Sequence, residues 1–322
     1  MKKLALAAAL AAAFTGSAFA QSSVTLYGRI NTSAEVQKVG SQDEKYVLQN
    51  NASRWGLRGS EDLGGGLNAF FGLESGFSSD TGAGAGGFSR DAYVGLKSAS
   101  LGQVRMGRFF SAIYYATADY ISNHNHDTGT SSDVLYAYRI DLTNAVQYST
   151  PSFGGFVGTA TVAAGEGTTD KTYELVGNYS AGPLHVGGGY SETERRLTQA
   201  KDKSFSVSGF YSFGAFSIGA LYERDDFETL AAGGQQLGSR DYGRIAGIYT
   251  LGAAEFHLNY GQAKAWDGLP NSGAKQYTAG INYNLSKRTK VYGFFTKIDD
   301  GAAGFYGGDF RSLAALGIRH NF

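Results

Sequence analysis

From residue 24 to the end of the chain, apolar and polar positions alternate with a period of two. Tyr277, Ala279, Ile281, Tyr283 and Leu285 share one parity, and Thr278, Gly280, Asn282 and Asn284 share the other. Phe256, Leu258 and Tyr260 alternate in the same way with Glu255, His257, Asn259 and Gly261. Phe216, Ile218, Ala220 and Tyr222 alternate with Ser217, Gly219 and Glu223. Each segment predicts a β-strand with one apolar face and one polar or glycine-rich face. Helical periodicity is hard to find, and after residue 20 no apolar run is long enough for a membrane helix.

The connectors between these strands are of two kinds that take turns. Tight ones include Glu61-Asp62-Leu63-Gly64-Gly65, Ala99-Ser100-Leu101-Gly102, Pro151-Ser152-Phe153-Gly154, Ala181-Gly182-Pro183, Gly214-Ala215, Gly252-Ala253 and Ser286-Lys287-Arg288. Long polar ones fall at 38–50, 78–88, 110–141, 166–170, 195–202, 226–239, 265–273 and 299–309. They separate sixteen strands, from near Val24 to Phe322. An even count with short turns at one end and long loops at the other predicts an all-β fold, a 16-stranded antiparallel transmembrane β-barrel. In lipid every backbone polar group must be paired, which only a closed barrel achieves with strands. Tyr27, Tyr148, Tyr179, Tyr211, Tyr249 and Tyr283, near strand ends, are expected in the aromatic girdles.

The polar face carries large charges in mid-strand: Arg29, Arg54, Arg58, Arg108, Glu223, Arg244, Lys290 and Arg319. A soluble sandwich would bury its apolar faces against each other and leave these charges outside. In a barrel of sixteen strands they line an aqueous lumen while the apolar face meets lipid. Periodicity alone does not place Arg90, because either face of Arg90–Lys97 could be the apolar one.

The first twenty residues are of another kind. Met1-Lys2-Lys3, the apolar stretch Leu4–Phe14 and Ala18-Phe19-Ala20 predict a cleaved signal peptide over 1–20, leaving 21–322 as the barrel. Composition then narrows the function. The chain of 322 residues has 47 glycines, three prolines and no cysteine, so disulfide frameworks and thiolate sites are excluded. Without Lys2 and Lys3 it carries 26 basic and 28 acidic residues, which argues against nucleic acid as a partner. There is no Gly-x-Ser-x-Gly elbow, His-Glu-x-x-His pair or phosphate-cradling glycine loop, and no cofactor or metal is expected.

These residues together resemble the general diffusion porins of Gram-negative outer membranes, most closely the beta-proteobacterial type. The likeness is carried by Val24–Arg29, Ser53–Gly66, Ser89–Leu96, Met106-Gly107-Arg108, Asn144–Pro151 and the terminal Gly317–Phe322. It implies a homotrimer in outer-membrane lipid that passes small hydrophilic solutes and ions. It also implies a third loop folded into the barrel, for which the 110–141 connector is long enough. By motif, Arg29, Arg54, Arg90 and Arg139 fall on the family's basic wall positions, with Arg108 a further candidate. Asp119 and Asp127 fall on acidic loop positions, and Asn123 stands where relatives have a carboxylate. Phe322 matches the C-terminal aromatic read by the outer-membrane assembly machinery.

Several arginines facing few carboxylates predict a modest preference for anions. If His124 and His126 titrate near the ordinary imidazole value of about 6.5, conductance would depend on pH. The alternatives are a substrate-specific outer-membrane channel, an adhesin acting through the long loops, or a barrel hydrolase.

Overall fold

The computed structural model describes residues 23–84, 86–122, 132–302, 304 and 309–322, so the expected signal peptide lies outside the described residues. The chain begins with β1 (Ser23–Val39), which pairs on one side with two successive segments, β2 (Lys45–Asn50) and β3 (Arg54–Gly64). Thr32–Gln37 of β1 meet β2, and Ser23–Arg29 meet β3. These two segments are one barrel strand interrupted at residues 51–53, where Ala52 takes φ of +52°. Asn31 repairs the break: its side-chain Nδ2 donates to the Asn51 carbonyl at 3.1 Å, and its backbone N–H donates to Ser53 Oγ at 3.0 Å. The chain continues through β4 (Leu67–Gly76), β5 (Ala92–Ser98), β6 (Gly102–Phe110), β7 (Asp141–Ser149), β8 (Phe156–Ala163) and β9 (Lys171–Ala181). Then follow β10 (Leu184–Glu194), β11 (Lys201–Phe213), β12 (Phe216–Leu230), β13 (Gln236–Leu251) and β14 (Ala254–Ala263). Last come β15 (Ala274–Asn284), β16 (Thr289–Asp300) and β17 (Phe310–Asn321).

Each strand is antiparallel to its neighbours, and β17 returns to pair with β1. With β2 and β3 taken as one, sixteen strands close the barrel and leave no edge. At the seam Gly28 and Phe322 exchange two backbone hydrogen bonds of 3.0 Å. The Phe322 ring lies over Gly28, where a Cβ would sit 2.3 Å from a ring carbon, so only glycine fits there. The loops expected at 38–50 and 226–239 are shorter than predicted, because β2, β12 and β13 extend into them.

The burial pattern is the reverse of a soluble protein's. Along β12, Ile218, Tyr222 and Arg224 are exposed while Leu221, Glu223 and Asp225 are buried. Leu258 is 68% exposed and Leu316 is 74% exposed, whereas Gln276 and Thr278 are buried. Such a surface is stable only where hydrocarbon replaces water outside the barrel.

The tyrosines form two belts. Tyr148, Tyr179, Tyr211, Tyr249 and Tyr283 point outward beside the short turns. A second set beside the long loops, Tyr173, Tyr190, Tyr222, Tyr260 and Tyr277, also points outward and escaped the sequence reading. Tyr27 belongs to neither belt. It shares the parity of Arg29, and Arg58 stacks on its ring at 5.1 Å.

Two short helices follow β6: α1 (Ala112–Ala116) and α2 (Ala118–Ile121). With the turn Ser132–Leu135 they bring Ile113, Ala116, Ala118, Ile121, Leu135 and Tyr138 against Val176, Leu221, Tyr242 and Ala246 of the inward-pointing parity. Glycine makes room for them. A Cβ at Gly187 would lie 2.0 Å from the Ala116 carbonyl oxygen.

Candidate functional site

The interruption between β2 and β3 sets the next residue, Arg54, directly opposite Arg29 on β1. Two like charges in register destabilise a sheet, so something other than wall stability accounts for them. Arg90, just before β5, joins them through Glu74 of β4. The Glu74 carboxylate accepts from Arg90 Nε and lies 3.7 Å from Arg54 Nε. The Arg90 guanidinium also stacks over Phe110 at 4.6 Å.

Arg139 arrives from the other end of the segment that contains the helices. Its Nε donates to the Asp141 carbonyl at 2.8 Å and its Nη1 to the Asp170 carbonyl at 3.4 Å. Arg29, Arg54, Arg90 and Arg139 all line one cavity of about 620 Å³, together with Tyr114, Tyr115 and Asp119 of the helical segment. Burial raises the pKa of Asp119 above the usual carboxylate value, although Arg54 and Arg29 pull the other way. That opposition places Asp119 within the field of the β1 and β3 arginines.

Arg108 is not among the residues that line this cavity. The register of β6 against β7 slips between Gly107 and Phe109, where three steps along β7 past Asn144 oppose two along β6, and Arg108 has the parity of the outward-facing Val104 and Met106. Arg108 instead braces the site: its Nε donates to the Arg90 carbonyl at 3.0 Å and its Nη2 to Asp141 at 3.2 Å. Asn123, Asp127, His124 and His126 lie outside the described residues.

Two anchors hold the helical segment, and neither was read from the sequence. At its start, Ser111 Oγ donates to Glu174, and the Ala112 N–H donates to the same carboxylate at 3.1 Å. At its end, Arg240 is bonded to Asp225 at 2.8 Å and Glu223 at 3.3 Å, and it donates to the Leu135 carbonyl at 2.9 Å. All three charged side chains are 0% exposed. Glu223 and Arg244, expected to face open lumen, are therefore buried. The signal for Glu74 was available: it is the one charge in β4, on the parity of Gly72.

A closed barrel with an apolar outer surface, an inverted burial pattern and a charged interior cavity defines a membrane channel. The chain belongs to the Gram-negative porin family, whose profile matches residues 5–303. It is 32% identical to outer membrane porin protein 32 of Delftia acidovorans, with all of both chains covered. Against an outer membrane porin protein of Bordetella pertussis the identity is 30%, again over the whole of both chains. Among solved structures, an anion-selective porin from Comamonas acidovorans superposes with a TM-score of 0.79 at 26% identity, covering 94% of this chain and 100% of that one. The protein is thus an outer-membrane porin whose water-filled channel admits small hydrophilic solutes and ions.

Proposed function

We propose that this porin prefers anions, and that the preference is set where the helices α1 and α2 and the turn Ser132–Leu135 fold inward and narrow the channel against the arginine wall. One observation carries the reading: four arginines line the same cavity as Asp119. Glu74 is shared between Arg54 and Arg90, and with Asp119 and Asp141 in the lining the four arginines still leave an excess of positive charge. The anion selectivity of the Comamonas acidovorans porin supports the same reading. No observation among the described residues favours a substrate-specific channel, an adhesin or a hydrolase. We also propose that Phe322 serves as the assembly signal, since its ring stands on the outer face of the seam; a Phe322→Ala variant that inserts at the wild-type rate would overturn this.

The test is the reversal potential of single channels in a salt gradient across a planar bilayer. The sign expected is that of anion permeation, and a cation-selective wild type would overturn the proposal. Acid should strengthen the preference. As pH falls through the raised pKa of Asp119, which lies above the ordinary value of about 4, that carboxyl loses its charge while every arginine keeps its own. A preference that weakens as pH is lowered toward that range would count against Asp119 facing the permeating ion.

The barrel is also proposed to assemble as a homotrimer. Strand β5 has 7 residues and β8 has 8, fewer than the roughly 9–11 that a tilted strand needs to cross hydrocarbon. A neighbouring copy would shield this low side of the wall. Light scattering on the detergent-extracted protein should give the mass of three chains, and a monomer would refute the assembly.

A further inference from the structure

Between the arginine wall and the short turns, the inner face of β1 and β3–β6 carries further cations. Arg58 of β3, Lys97 of β5 and Arg105 of β6 lie on the inward parity, opposite to the outward-facing Trp55, Val94 and Val104. Each rests on an aromatic ring instead of a carboxylate. Arg58 lies 5.1 Å from the centre of the Tyr27 ring and Lys97 Nζ 5.8 Å from that of Phe70. Arg105 lies 4.1 Å from the Phe109 ring and 5.0 Å from the Tyr93 ring.

The rings lie flat on the wall because the strands beside them supply glycine. Gly56 stands opposite Tyr27, and Gly72 stands between Arg58 on one side and Tyr93 on the other. A Cβ at Gly56 would lie 2.7 Å from Tyr27 Cζ, and one at Gly72 would lie 2.6 Å from Tyr93 Cζ. Tyr93 thus leans over Gly72 toward Arg58, and its hydroxyl stands in the field of both guanidiniums. No other side chain of that row separates the two stacks.

The carboxylates of this wall are engaged elsewhere. Glu74 serves Arg54 and Arg90, Glu174 holds Ser111 and Ala112, and Asp62 accepts from the Gly64 N–H of its own turn at 2.9 Å. Asp91 and Glu174 lie in the field of Arg105 without pairing with it. Among the described residues Arg58, Lys97 and Arg105 form no ion pair, and Arg105 donates to Gln147 Oε1 at 2.9 Å. Arg58 and Lys97 are also exposed to the lumen.

A ring occupies one face of a guanidinium and leaves its other face and its edge donors to a solute. We propose that Arg58 and Arg105 bind planar aromatic carboxylates, the benzoate class, as these cross the channel. The ring of the solute stacks on the face of Arg58 turned away from Tyr27. Its carboxylate points across the Tyr93 hydroxyl and takes charge-assisted hydrogen bonds from Arg105. An aliphatic acid of the same charge gains the second contact and not the first. Short turns face the periplasm in such barrels, so the station lies on the periplasmic side of the arginine wall. This inference does not rest on the anion preference, and a cation-selective wild type would leave it standing.

Block of single-channel current at fixed potassium chloride tests it. Cyclohexanecarboxylate matches benzoate in charge and nearly in bulk but has no flat π face. Benzoate is expected to halve the current at about a tenfold lower concentration, a difference of roughly 1.4 kcal/mol. That arm needs no variant. Arg58→Lys combined with Arg105→Lys keeps both charges and removes both flat guanidiniums. In this variant, with its β-barrel verified by circular dichroism, benzoate should block no better than cyclohexanecarboxylate. Equal block of the wild type by the two acids would overturn the proposal. So would benzoate block of the double variant at the wild-type concentration, which would move the site to Arg90 and Phe110 at the arginine wall.

Discussion

Replacing Arg240 with leucine is expected to destabilise the protein by about 3–5 kcal/mol, the cost of leaving buried charges without their partner. Asp225 and Glu223 would face each other across the gap, and the Leu135 carbonyl would lose its donor. Trp266, on which the guanidinium stacks at 4.7 Å, would lose that contact as well. The damage falls on the return limb of the segment proposed to narrow the channel, so conductance should rise and become noisier as the barrel weakens. Salt should rescue little, because buried pairs are screened far less than exposed ones. A second variant separates the ion pairs from mere packing. Glu223→Gln, Asp225→Asn and Arg240→Leu together remove every charge of the set, and replacing a whole buried ionic group is often near neutral. Thermal unfolding should therefore place the triple variant close to the wild type and the single variant well below both. A single variant as stable as the wild type, or a triple variant no better than the single, would show that the charges are not what holds this segment.

The contrast between Arg240 and the wall arginines shows what alternation along the chain makes legible. Parity places a side chain inside or outside the barrel, and it did so for Arg29, Arg54 and Arg58 as for Ile218 and Leu258. It says nothing of what lies on top of an inward residue. Glu223 and Arg244 have the same pattern as a lumen-lining charge, yet each is covered. Parity also fails where the backbone slips by a residue. An extra residue beside Asn144 in β7 shifts its pairing with β6, and the break at residues 51–53 splits one strand into two segments. The tight turns remained readable because their chemistry is local: Gly214 and Gly252 each take φ of +60° in two-residue connections. The anchors of the helical segment are the opposite case. Ser111 and Glu174 are 63 residues apart, and Arg240 and Leu135 are 105 apart, so no short motif carries either contact.

Neutralising the arginine wall should change the sign of selectivity. In the variant Arg29→Gln, Arg54→Gln, Arg90→Gln, Glu74 loses both of its guanidinium partners and Asp119 loses the field of Arg29 and Arg54. Arg139 then remains among the cavity-lining arginines, against Asp119, Asp141 and the released Glu74. A unit charge about 6 Å from a permeating ion, at an effective permittivity of about 40 between water and protein, is worth about 1.4 kcal/mol. That is roughly a tenfold change in local ion concentration for each charge removed. Three such changes exceed a modest starting preference, so the reversal potential should cross zero into the cation-selective range. Folding should survive, because the variant also removes the repulsion between Arg29 and Arg54, which stand directly opposite each other. Arg58→Gln is the internal control. Its guanidinium stacks on Tyr27 and it is not among the residues lining the cavity, so its loss should move the potential much less. If the triple variant kept the wild-type reversal potential, or Arg58→Gln shifted it as far, the selective field would have to lie elsewhere in the channel.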